Sequence, residues 1–102
     1  MEYVVENEQG DNSGIVICLT GRVDYAAVGS FTSIIETAQE LAPKRLRVDM
    51  TRVSGIDSVG FGLMIMLREA LPTAQIVLSG AEGVAKRLLG LFDASSLFEI
   101  RE

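Results

Sequence analysis

The chain has 102 residues, 9 Lys and Arg against 14 Asp and Glu, a net charge of −5 and no histidine. Without imidazole there is no Ser-His-Asp or Cys-His nucleophile pair, no histidine metal ligand and no phosphohistidine. Its cations are scattered, with no basic stretch longer than Lys44-Arg45-Leu46-Arg47, which argues against nucleic acid as a partner.

Apolar residues make up 48% of the chain, enough for one modest core in a single domain over residues 1–102. Two short apolar runs, Tyr3 to Val5 and Ile15 to Leu19, flank the turn-forming stretch Gly10-Asp11-Asn12-Ser13-Gly14 and predict a β-hairpin. Cys18 lies in the second run with no disulfide partner, and a buried, inert thiol is expected there. The N-terminus lacks the regions of a signal peptide, and apolar runs such as Leu63 to Leu67 are too short to cross a bilayer. A reduced, cytoplasmic location away from membranes is the expectation.

Asp24 can cap a helix running to about Leu41, with Val28, Phe31, Ile34, Ile35 and Ala38 on its inner side and Pro43 closing it. Arg45 to Met50 alternates strictly, which predicts a strand with one face buried and the other at least partly in water. Thr51 to Gly55 reads as a loop, and Ile56-Asp57-Ser58 leads into a helix from Val59 to Leu71 that Pro72 ends. A strand from Ala74 to Leu78, a turn at Ser79-Gly80, a third helix from Gly83 to Leu91 and a strand from Phe98 to Arg101 complete the chain. The order β-β-α-β-α-β-α-β predicts an α/β domain with a mixed β-sheet, an antiparallel N-terminal hairpin followed by right-handed β-α-β crossovers, and three helices.

The stretch Ser54-Gly55-Ile56-Asp57-Ser58-Val59-Gly60-Phe61-Gly62 is where the chemistry concentrates. At the start of a helix Ser58 has two readings. It can be an ordinary N-cap, worth about 1 kcal/mol. It can also be a phosphoacceptor whose added charge meets the helix dipole and free N–H donors. Residues spaced at 100° put Val59, Leu63, Met66, Leu67 and Ala70 on a core face, with Phe61 and Ile65 roughly opposite and Met64 at the margin. The outward apolar residues are explained either by a second covering layer of the same protein or by a docking surface beside Ser58.

The motif Asp57-Ser58-Val59-Gly60-Phe61-Gly62-Leu63 resembles the signature Asp-Ser-Ser/Thr-Gly-Leu-Gly of the STAS family of anti-sigma factor antagonists. Leu19-Thr20-Gly21-Arg22-Val23-Asp24 is similar to the family's Leu-Thr-Gly-Glu-Leu-Asp, and Val48-Asp49-Met50-Thr51-Arg52-Val53 to its Leu-Asp-Leu-Ser-x-Val. Lys86-Arg87-Leu88-Leu89 with Leu91-Phe92-Asp93-Ala94-Ser95-Ser96-Leu97-Phe98 resembles its closing pattern. The resemblance implies a non-enzymatic partner-switching protein phosphorylated on Ser58 by an anti-sigma factor that is also a serine kinase with a histidine-kinase-type ATP fold. It further implies a serine phosphatase that resets the switch, ATP used only by the kinase, and no cofactor or metal in this chain. The expected partner contacts are Asp24, Asp57 and Ser58, which the resemblance implies, together with Val59, Gly60, Phe61, Met64 and Ile65, which the docking-surface reading of the helix adds. Val59 departs from the motif and leaves Ser58 its only hydroxyl, and Ser96 stands where Gly is common.

A receiver domain would need an acidic pair after its first strand and a lysine near its last, and neither is present. No carboxylate or thiol sits with a base in an enzyme-like arrangement, and the glycines form no P-loop or dinucleotide fingerprint. The competing function lies within the same fold: a small cytoplasmic STAS subunit of a lipid or anion transporter, acting as an unphosphorylated binding module.

Overall fold

The computed structural model describes residues 1–8, 10 and 13–102; part of the predicted hairpin loop, at 11 and 12, lies outside the described residues. The strands are β1 (Glu2–Asn7), β2 (Gly14–Val23), β3 (Arg45–Ile56), β4 (Gln75–Ser79) and β5 (Glu99–Arg101). The helices are α1 (Val28–Leu41), α2 (Ser58–Ala70) and α3 (Gly83–Leu91), and short 3-10 turns at Tyr25–Ala27 and Ala94–Ser96 precede α1 and β5. The strands form one sheet in the order β1-β2-β3-β4-β5, antiparallel between β1 and β2 and parallel elsewhere. The mixed α/β sheet and three helices are therefore as the sequence pattern predicts.

One face of the sheet carries the core. Ile15, Ile17 and Leu19 of β2, Leu46, Val48 and Met50 of β3, and Ile76 and Leu78 of β4 pack with Phe31, Ile34 and Ala38 of α1. Leu63, Met64 and Leu67 of α2 and Ala85 and Leu89 of α3 complete it. Each large side chain so buried contributes about 1.5–3 kcal/mol, so the alternation of the strands and the stripes of the helices together select this layering.

Three expectations about the elements are corrected. Thr51 to Gly55 is strand and not loop: β3 runs on to Ile56, pairing Thr20 with Arg52, Gly21 with Val53, Arg22 with Gly55 and Val23 with Ile56. Register shifts between Cys18 and Thr20 and between Gly21 and Arg22 break the alternation, leaving Thr51 and Arg52 both exposed, and this resembles a loop in sequence. Val28 is 40% exposed and not on the inner side of α1, because at 100° per residue it lies about 90° from the buried stripe of Phe31, Ile34 and Ala38. The C-terminal end of α1 is closed by Ala42 in the left-handed region at φ 46°, just before Pro43.

The phase of α2 is the largest correction. Phe61, expected outward, and Met64, expected at the margin, are buried, 6% and 1% exposed, and Ile65, also expected outward, is partly buried against the core. Phe61 stacks on Phe92 with ring centroids 5.0 Å apart and meets Phe98 edge-on at 6.2 Å. The exposed apolar residues are instead Val59 and Met66, at 46% and 55%, which the 100° spacing assigns to the core.

The other sheet face mixes apolar and polar residues, with Val16 and Val77 buried on it and Val4 exposed. Val4, Cys18 and Asp49 stand side by side in register across β1, β2 and β3. Arg47 pairs with both Val16 and Val77 there, donating from Nη1 to Ser79 Oγ at 3.0 Å and from Nε to Glu8 at 3.4 Å. Cys18 is half-buried on this face, not in the core, because the period of two puts it opposite Ile17 and Leu19. Burial first, then the Asp49 carboxylate 4.0 Å away, pushes its thiol pKa up. Asp49 is held below the usual carboxylate value, mainly by the Thr51 hydroxyl donating at 2.6 Å and also by the Thr51 N–H at 3.0 Å.

Phe61→Ala is expected to cost about 3–5 kcal/mol in urea unfolding, while Val59→Ala stays within about 0.5 kcal/mol. A depressed carboxylate contributes stability above its unfolded value of about 3.9, and that contribution is lost as pH falls through the lower folded value. Thr51→Val should therefore be less stable than the wild type at neutral pH, with the difference shrinking once Asp49 is protonated in both states; a constant gap down to the lowest pH would contradict this.

Candidate functional site

Strands β2 and β3 run parallel and end side by side, with Val23 paired to Ile56. Asp24 and Asp57 are thus the next residues on neighbouring strands, and the Asp57 N–H donates to the Val23 carbonyl at 3.4 Å. Each aspartate caps the helical segment that begins just after it. Asp24 Oδ1 accepts from the Ala26 N–H at 3.0 Å and starts the 3-10 turn, and Asp57 Oδ1 accepts from the Gly60 N–H at 2.8 Å and starts α2. The Asp57 carbonyl also accepts from the Phe61 N–H at 2.9 Å.

Asp57 therefore fills the N-cap position for which Ser58 is the sequence candidate. Ser58 is the first helical residue of α2, exposed, and its hydroxyl makes no hydrogen bond among the described residues. With Gly60 and Phe61 N–H already bonded to Asp57, the first-turn donors left over belong to Ser58 and Val59. A free hydroxyl beside unpaired N–H groups suits it to accept a group that brings negative charge.

Gly60 is where helix and sheet touch. A Cβ there would lie 1.8 Å from the Val23 carbonyl oxygen and 2.5 Å from its carbon, so no other residue fits without moving the backbone. Beside it Arg22 donates from Nε to Asp24 Oδ2 at 3.3 Å, and its Nη1 lies 2.9 Å from the place a Cβ on Gly55 would take.

Of the residues singled out in the sequence, the structure brings Asp24, Asp57, Ser58 and Val59 together at the surface. Gly60 is buried at the sheet contact, Phe61 and Met64 lie in the core behind it, and Ile65 is at the margin. Among the described residues no group of three His, Cys, Asp or Glu is placed to hold a metal ion, and no helix is long and apolar enough to cross a membrane.

The sequence matches the STAS domain over residues 3–102. The chain belongs to the STAS family. An anti-sigma-B factor antagonist of Listeria monocytogenes is 29% identical over 102 residues, which cover 100% of this chain and 89% of that protein. Among solved structures, an anti-sigma factor antagonist from Mycobacterium paratuberculosis superposes with a TM-score of 0.85 at 18% identity, over 98% of this chain and 84% of that one. The phosphorylated form of the Bacillus cell fate determinant SpoIIAA gives 0.68 at 20% identity, over 97% and 90% of the two chains. A sulfate transporter family protein from Wolinella succinogenes gives 0.74 at 18%, over 87% and 76%. These structural likenesses establish the STAS fold.

Three residues at this STAS site escape the sequence reading. Arg22 stands where the family motif has Glu, and that reversal of charge is the signal that could have marked it. Tyr25, 77% exposed, and Val28 lie on the segment that packs beside the start of α2. Periodicity assigns Val28 to the inner side of its helix, and no pattern in the sequence marks Tyr25 as part of this surface.

Gly60→Ala is expected to cost about 1–3 kcal/mol or more because the backbone itself must yield. Asp57→Ala should lose about 0.5–2 kcal/mol with the cap. Ser58→Ala, which removes no bond, should stay within about 0.5 kcal/mol of wild type. Urea midpoints of the three variants, compared with wild type, check the order.

Proposed function

We propose that this STAS domain is an anti-sigma factor antagonist in a partner-switching module. Unphosphorylated, it binds an anti-sigma factor that is a serine kinase with a histidine-kinase-type ATP fold. Phosphorylation of Ser58 releases it, and a serine phosphatase restores the binding form. The domain is the substrate and the switch; the kinase uses ATP, this chain needs no cofactor, and the exchange takes place in the cytoplasm.

The observation that carries this reading is the state of Ser58: exposed, unbonded, and relieved of capping by Asp57. Around it lies a surface a partner can cover. Val59 and Met66 on α2, with Tyr25 and Val28 on the adjoining segment, supply the exposed apolar area, and Asp24 and Asp57 supply charge. These replace Phe61 and Met64 as the proposed contacts, with Ile65 at the edge. A phosphoryl group adds about −1.5 to −2 charge at the rim of that surface. If burying it costs even about 2–3 kcal/mol, binding weakens roughly 30- to 150-fold.

Incubated with its co-purifying kinase and ATP, the wild-type protein is expected to gain one phosphoryl group by intact mass, and Ser58→Ala none. Val59→Glu combined with Met66→Glu should keep the unfolding midpoint but lose kinase binding. Modification at another residue, or wild-type affinity in the double variant, would overturn the proposal. Recovery with a transporter subunit and no kinase would favour the binding-module reading of the same fold.

A further inference from the structure

Arg22 stands one paired residue before the end of β2, opposite Gly55, while Ser58 comes two residues after the end of β3. Two contacts locate its guanidinium. The Nε bond to Asp24 turns the side chain along the strand toward the end from which α2 starts. The 2.9 Å approach of Nη1 to the vacant Cβ position of Gly55 lays it sideways across β3. Gly55 does not have the positive φ that favours glycine, and the space a Cβ would take there is where the end of the Arg22 side chain lies.

The guanidinium is held at one corner only. Its side chain is 58% exposed, and its two terminal nitrogens donate no hydrogen bond among the described residues. Asp24 is bound independently by the Ala26 N–H. Arginine presents five donors in a planar fork that suits phosphate, so Nε can stay on Asp24 while the terminal nitrogens turn to a second anion. The need for such a cation is local. A phosphoryl group on Ser58 would arrive beside the carboxylates of Asp24 and Asp57, both already committed to backbone N–H groups.

We infer that Arg22 is the residue that receives the phosphoryl group on Ser58 within this chain, bridging it to Asp24. This rests on the reading of Ser58 as the phosphoacceptor. Arg22 is a positioning residue here: it touches no reacting atom, and its single positive charge, shared with Asp24, offsets only part of the charge of about −1.5 to −2 that the phosphoryl group brings.

The test uses the full chain with phosphoserine installed at position 58 by semisynthesis, so that it does not depend on any kinase. Phosphorus NMR titration reads the second ionisation of the phosphate, which is about 6 when unperturbed. In the wild-type chain it is expected about one unit lower than in Arg22→Gln, as for an anion beside a guanidinium, with Arg22→Lys between them. The thermal midpoints of the unphosphorylated wild type and Arg22→Gln should agree, because the exposed pair with Asp24 is weak. Identical titration curves in the three proteins would overturn the inference while leaving partner switching intact. Failure of a kinase to modify Ser58, with the titration curves still separated, would overturn the proposed function and leave the phosphate contact established.

Discussion

The approach of Gly60 to the Val23 carbonyl sets the geometry on which the rest of the domain depends. A helix that starts against the end of a strand with no room for a Cβ can dock in only one rotation. That rotation turns Phe61, Met64 and Leu67 into the core and turns Val59 and Met66 out. It also puts Ser58 on the rim, since the residue two before the contact lies on the far side of the first turn. The aromatic contacts of Phe61 with Phe92 and Phe98 then tie the C-terminal part of the chain to this same helix.

The fold is legible in the sequence wherever one period dominates. Leu46, Val48 and Met50 alternate with Arg47 and Asp49, and the structure buries the first set and leaves the second on the opposite face. Where two patterns overlap, the shorter one is hidden. Ile15 to Leu19 is apolar throughout, so nothing in it marks Cys18 as facing the other way. The extension of β3 is concealed by the two register shifts, which give successive exposed residues where alternation is expected.

The site is legible as a segment and not as a surface. Asp24, Asp57 and Ser58 do come together, because parallel strands that end in register place their next residues side by side. The outward face of α2 is ambiguous in sequence because Val59, Met66, Phe61 and Met64 are all apolar, and a wheel drawn from hydropathy alone has no unique phase on such a helix. Gly60 holds the missing information, since a glycine in the first turn of a helix is a place where another backbone can come close. Arg22 cannot be placed by periodicity at all. Its position comes from the register that sets it opposite Gly55.

On the proposed function, Asp57 and Ser58 divide two tasks that a single serine could otherwise combine. A serine that capped α2 would have its hydroxyl oxygen bound to a backbone N–H, and modifying it would weaken the helix along with the interface. With the cap supplied by the Asp57 carboxylate, α2 keeps its start whatever is attached to Ser58. The net charge of −5 would become about −7 on phosphorylation, a small change for the whole chain but a large one at a single point. Because the core side of α2 is sealed by Phe61, Met64 and Leu67, that charge meets water and the exposed face and does not reach the buried layer. On the proposed function, phosphorylation would alter which partner binds the domain without altering whether it is folded.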